Sequence, residues 1–310
     1  GLRGQAIEGL GEDAGAVQRR DDDAEPDHAA TVPPPALADC RAVNAAEALE
    51  AAARHPLWYH TIELAPGHVT PGVFDLRPIV DRLPWPDVRG KRCLDVGTYD
   101  GFLAFELEKR GAAEVVAVDI DDHRLWDWPY ELRAKGPEFL AELAGEEKGA
   151  GFRIAKAALG SKAERVSVSV YDLDPAELGR FDVVVCGSLL LHLRDPIRAL
   201  DAIRGVCDGL FLSAECIDLW LTALWPRRPL VRLGPGHQVH WWVPSAAAHR
   251  RMLETAGFAI ERTTRPYVVA YGVRHPGRSR APRQLAHDLL QRALAGGVGV
   301  PHAAALCRPV

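Results

Sequence analysis

The sequence predicts an α/β fold, a parallel sheet with helices on both faces, and three observations carry that expectation. From Lys91 onward, strand-like apolar runs near 92–96, 114–119, 165–171, 181–186 and 209–215 alternate with helical stretches near 101–110, 137–159 and 196–207. Next, Cys93-Leu94-Asp95-Val96-Gly97-Thr98-Tyr99-Asp100-Gly101-Phe102 reads as a buried strand, a tight glycine turn and a helix start, and Val115-Val116-Ala117-Val118-Asp119 as a second buried strand ending in an acid. Finally, Asp119 follows Asp95 by 24 positions, the spacing at which an acid can accept from both ribose hydroxyls of a nucleoside lying across the strand ends.

The elements follow in chain order. Residues 1–40 carry nine acids against three bases, with Asp21-Asp22-Asp23 and Pro33-Pro34-Pro35, and read as a disordered acidic leader. Residues 41–90 read as an N-terminal cap: an Ala-rich helix from Asn44 to Arg54, stopped by Pro56, then an irregular segment containing Trp58-Tyr59-His60. The main domain spans 91–276. Within it Asp195-Pro196 opens a helix with a carboxylate cap and a proline in the first turn. Residues 217–243, rich in Trp and Pro, form a lid insertion, and Ser245 caps a helix to Ala256 that ends at Gly257. Runs 258–264 and 267–274 are expected to complete the sheet as an antiparallel pair. Residues 277–310 read as an Arg/Ala-rich tail with one amphipathic helix at 282–294.

Composition bounds the partners. The chain has 310 residues, 47% of them hydrophobic, which suits a sizeable core. Its net charge of −5 divides into −6 for residues 1–40 and +1 for the rest, so no basic stripe announces a nucleic-acid partner. Six scattered cysteines form no C-x-x-C pair, and there is no apolar run of 18 residues and no basic-then-apolar leader. These features lead to the expectation of a cytoplasmic protein with neither membrane span nor signal peptide.

The glycine loop narrows the chemistry. A pyrophosphate cradle needs G-x-G-x-x-G so that backbone amides close on the phosphates, whereas Tyr99 occupies the middle glycine position. The loop therefore suits a nucleoside without a diphosphate. This pattern resembles the class I S-adenosylmethionine (SAM) dependent methyltransferases. The resemblance implies a Rossmann-like, seven-stranded sheet, SAM as donor and S-adenosylhomocysteine as product. It places the loop from Gly97 to Gly101, with Thr98 and Tyr99, beside the methionine part and Asp119 at the ribose, and counts Asp95 and Ile120 among the residues that bind the donor.

Three further segments fall where such a pocket is lined. In Tyr171-Asp172-Leu173-Asp174-Pro175, Asp172 can accept from the adenine amine and Leu173 can cover the ring; the alternative is that these acids only cap the following turn. Gly187-Ser188 lets the backbone approach the donor, and His192, on the loop after it, is a general base, a substrate ligand or a structural residue. The segment Gly234 to Pro244, with Glu215 upstream, offers Trp241 and Trp242 as a lid. His237 and His240 there have weak metal-site spacing, and no metal is expected. The candidate catalytic residues are His192, His240 and Glu215; those for substrate are Trp58, Tyr59, His60 and Trp241.

Together, Trp58 to Leu64, Thr70-Pro71-Gly72, Asp95 to Gly101, Tyr171 to Pro175 and Leu190 to Pro196 resemble the tRNA 5-methoxyuridine methyltransferase-like branch over roughly 45–275. That branch implies a carboxy-SAM donor held by a lysine before the core and by a tyrosine and arginine near the loop histidine. Here Leu191 and Leu193 flank His192, and His55 to Asp81 contains no lysine. The expectation is therefore ordinary SAM and a small, partly aromatic or apolar acceptor. Wobble-uridine modification of tRNA, with Arg274 to Arg292 as a handle, is one alternative; a non-catalytic SAM-binding protein is another.

Overall fold

The computed structural model describes residues 45–145, 148–234, 239–275 and 282–310; the acidic leader lies outside them. Nine strands form the main sheet: β1 (Phe74–Asp75), β2 (Arg92–Val96), β3 (Glu114–Asp119), β4 (Glu164–Ser167), β5 (Phe181–Cys186), β6 (Cys207–Cys216), β7 (Phe258–Thr263), β8 (Tyr267–Tyr271) and β9 (Val300–Pro309). Their order is β1-β8-β9-β6-β5-β2-β3-β4, with β7 also paired to β9. The ladders among β2 to β6 are parallel, and β9 runs antiparallel between β6 and the pair β7 and β8.

The central strands are apolar throughout because both faces are covered. Cys93, Val183 and Val185 join Phe102, Phe105, Phe152 and the cap residues Ile62 and Leu83 on one face. Leu94, Val96, Val184 and Cys186 join Leu200, Ile203 and Leu253 on the other. This is the two-residue alternation of a strand. Helix Pro196–Val206 starts as expected, the Asp195 carboxylate accepting from Arg198 N–H at 3.0 Å. Ser245 likewise accepts from Ala248 N–H to start helix Ala246–Thr255. The helix expected at 282–294 is Pro282–Ala295.

Several expectations need correction. The sheet has nine strands rather than seven, because the cap contributes β1 and the last parallel position is split into β7 and β8. Those two do not pair with each other; both pair antiparallel with β9, which lies in the region expected to be a tail. Arg265-Pro266 interrupts the line between them, since proline donates no ladder hydrogen bond. The helix expected over 137–159 is two, Pro137–Ala144 and Ala150–Leu159; Gly145 and Gly149, between them, have φ of 74° and 78°. The strand expected to reach 171 ends at Ser167, and a 3₁₀ turn, Val170–Asp172, follows. The insertion holds a helix, Leu219–Leu224, and a hairpin of Val231–Leu233 with Trp242–Pro244. No helix among the described residues is long and apolar enough to cross a membrane.

Candidate active site

The site begins where β2 and β3 end. Gly97 (φ 78°) turns the chain out of β2, and the loop is held down by Asp119, whose carboxylate accepts from Tyr99 N–H at 2.7 Å and Ile120 N–H at 2.8 Å. Burial raises the Asp119 carboxyl above its usual range, and these two amides oppose the shift. Asp100, next in the loop, accepts from the backbone N–H of Tyr59 at 2.6 Å and of His60 at 3.0 Å, which fastens the cap to the glycine loop. Burial pushes Asp100 up to about 6.

A cavity of ≈ 330 Å³ lies across these strand ends. Gly97, Tyr99, Asp119, Ile120, Gly187, Ser188, His192, Tyr59 and His60, all expected from the sequence, line it. Leu125, Trp126, Leu143 and Leu189 give it apolar lining. A second cavity of ≈ 140 Å³ adjoins it and shares Tyr59, Gly187, Ser188 and His192. Those four residues form the junction. His192 Nδ1 donates to Val239 O at 2.7 Å, which leaves a lone pair on Nε2, and burial lowers its basicity. His240 sits 5.2 Å from His192, ring to ring, and lines the second cavity.

Other expected residues lie elsewhere. Asp172 is exposed and faces Arg198 at 3.6 Å, at the end of the 3₁₀ turn that follows β4; Leu173 is core. Asp95 is buried beneath the loop, where burial raises its carboxyl to about 7, and it lines neither cavity. Thr98 and Gly101 are also outside both linings; an added Cβ on Gly101 would come within 2.5 Å of Phe105, so this glycine serves packing. Trp58 is core, its indole N–H bonded to Ala52 O. Trp241 donates to Asp127 O and borders a separate groove. Glu215 lies below the junction, where its Oε1 accepts from Leu189 N–H at 3.1 Å and Leu190 N–H at 3.3 Å. Burial raises it to about 8. His237 lies outside the described residues, among which no metal-holding cluster of His, Cys, Asp and Glu occurs.

Asp127 was not legible as a site residue. Its Oδ2 accepts from the Tyr171 hydroxyl at 2.5 Å and from Arg194 N–H at 2.7 Å, and the Tyr171 Oη accepts from Asp195 N–H at 3.0 Å. Three separate chain segments are thereby joined at one end of the larger cavity.

The cavity has the size and character a nucleoside donor needs: the Asp119 carboxylate, a glycine turn at Gly97 and apolar side chains all line it. Residues 74–263 match the family described as Methyltransferase domain. The chain belongs to that family. Its α/β architecture is the class I, SAM-dependent methyltransferase fold. A tRNA U34 carboxymethyltransferase of Dichelobacter nodosus is 31% identical over 178 residues, 56% of this chain and 47% of that protein. A ubiquinone biosynthesis O-methyltransferase of Neisseria meningitidis serogroup C is 35% identical over 128 residues, 40% of this chain and 43% of that protein. The solved Burkholderia thailandensis 1,6-didemethyltoxoflavin-N1-methyltransferase, with S-adenosylhomocysteine bound, has a TM-score of 0.44 at 17% identity, covering 72% of each chain. The chain spans about half the length of the curated relatives it matches.

Proposed function

We propose that the protein transfers a methyl group from SAM to a small-molecule acceptor. The observation that carries this reading is the pair of adjoining cavities, one sized for a nucleoside and ending at Asp119, the other small and apolar. SAM, when bound, supplies an electrophilic methyl on a sulfonium. Asp119 would hold the ribose hydroxyls, Ile120 and Leu189 would cover the purine, and Gly97 would admit the methionine part. Tyr59, Ser188 and His192 would then border the line of transfer. Holding the reactants in line can account for roughly 7–11 kcal/mol of a barrier. His192 Nε2 carries the free lone pair at the junction and would accept the acceptor's proton.

Ordinary SAM suits the site better than carboxy-SAM. Among the described residues lining the two cavities, Lys148 is the one lysine or arginine, and it lies beside Asp119, Tyr99 and Trp126. A carboxylate at the junction would be buried without a cation, at a cost of several kcal/mol. Native mass spectrometry with each donor tests this: retention of SAM supports the reading, and selective retention of carboxy-SAM opposes it. Formation of S-adenosylhomocysteine with pooled metabolites tests the activity itself, and no turnover with any pool would favour a non-catalytic SAM-binding protein.

A groove of ≈ 520 Å³ favours a second reading, tRNA modification, in line with the names of the U34 relatives. Arg124, Arg133 and Arg194 border it with Trp126 and Trp241, the mixture of cations and stacking rings that single-stranded nucleic acid uses. On this reading tRNA binds at low salt and is released steeply as salt rises. Absence of binding at low salt removes it.

A further inference from the structure

The smaller cavity carries a chemistry of its own. Its walls are mainly side chains of the cap and of β6, β8 and β9, among them Phe74, Leu76, Ile79, Leu83 and Val269. At ≈ 140 Å³ it approaches the size of cavities of about 150 Å³, lined by Leu, Ile and Phe, that stay dry and take up benzene. One six-membered ring fills such a space, with no volume left for a sugar and phosphate.

Ser188 and His302 form a hydrogen-bonded pair on this space, which Tyr59, His192, Cys216, His240 and Tyr267 also line. Ser188 Oγ lies 2.7 Å from His302 Nε2, and both residues line the cavity. His302 Nδ1 lies 2.8 Å from Val300 O. A carbonyl oxygen only accepts, so Nδ1 carries the ring proton and Nε2 presents a lone pair. Ser188 must then donate its single proton to His302; Ala214 O, at 3.3 Å, is the more distant acceptor. Burial keeps His302 neutral, which preserves this tautomer. The serine oxygen is left with lone pairs and no proton for a ligand.

We propose that the ≈ 140 Å³ cavity is the acceptor subsite, that it takes one aromatic ring bearing a hydroxyl, and that the Ser188–His302 pair selects this ring by accepting, and never donating, a hydrogen bond. The proposal rests on the methyl-transfer reading, because Ser188 also borders the donor cavity and so places that hydroxyl at the junction. A site built to pair a ligand hydroxyl discriminates against an analogue that lacks it, since the site's own polar group is then left unpaired.

The test uses the full chain with S-adenosylhomocysteine present, and fluorine NMR of 4-fluorophenol and of fluorobenzene as ring probes. Fluorobenzene is the smaller, so size cannot exclude it. Both probes should bind, and the ratio of their affinities should move about tenfold against 4-fluorophenol on Ser188→Ala, the value of one neutral hydrogen bond. Calorimetry with S-adenosylhomocysteine on the parent and on Ser188→Ala sets the concentration at which the donor site is full in both, so that the probe ratio reads the smaller cavity alone. An unchanged ratio in Ser188→Ala overturns the assignment of Ser188, and failure of both probes to bind overturns the subsite while leaving the donor site standing. Failure of S-adenosylhomocysteine itself to bind overturns the methyl-transfer reading and this one with it. Displacement of bound 4-fluorophenol by bulk tRNA at low salt would give the cavity to a nucleobase and overturn the small-molecule assignment.

Discussion

The carboxylate of Asp119 accepts the backbone N–H of Tyr99 at 2.7 Å, so the acid that ends β3 fixes the loop that leaves β2. One side chain thus shapes the turn and lines the cavity it encloses. Asp119→Ala should weaken SAM binding at least about tenfold, through loss of charge-assisted hydrogen bonds worth about 1.5–3 kcal/mol each. Calorimetry checks this, with circular dichroism to show that the fold survives. Unchanged affinity would assign Asp119 to the loop alone.

Asp100 makes the corresponding link to the cap. Asp100→Ala leaves the amides of Tyr59 and His60 unpaired in a buried setting. A stability loss of about 2–6 kcal/mol should appear in urea unfolding, from two orphaned donors at about 1–3 kcal/mol each. A loss below about 0.5 kcal/mol would mean that the cap is held by its apolar contacts.

His192→Ala should leave SAM affinity nearly intact and reduce turnover about a hundredfold or more, the range of a positioned general base. Separate measurement of donor binding and turnover decides it. Unaffected turnover would make the histidine a structural partner of Val239.

The buried acid Glu215 predicts a pH effect on stability. Burial raises its folded pKa to about 8, above the ordinary 4.5, so the folded state holds the proton more tightly than the unfolded chain. Its contribution is complete below the unfolded value and is lost as pH rises through about 8. Stability should fall between pH 6 and 8 by up to about 1.4 kcal/mol per unit. Asp95, raised to about 7, contributes in the lower part of that window. Glu215→Gln keeps an oxygen for Leu189 and Leu190 and should flatten the upper part; an equally steep Glu215→Gln curve in urea unfolding would refute the assignment.

The unit from Cys93 to Asp119 was readable because its signals are local: apolar runs, a glycine turn and an acid at a strand end. The caps at Asp195 and Ser245 were readable for the same reason. Strand β9 was not. Its Ala303-Ala304-Ala305 stretch has poor strand propensity, and only its burial and its pairing with β6, joined by β7 at Ala305, make it a strand. His302 was lost with it. Asp172 was misplaced because the ladder stops at Ser167 and the 3₁₀ turn Val170–Asp172 that follows leaves its side chain exposed. Asp127 carries no motif at all; its partners Tyr171 and Arg194 are 44 and 67 positions away.

The most direct measurement is a crystal structure of the protein soaked with S-adenosylhomocysteine. Both ribose hydroxyls should rest on the Asp119 carboxylate, with the sulfur beside Ser188 and His192 at the junction of the two cavities. A nucleoside bound elsewhere, or its sulfur pointing away from that junction, would contradict the account.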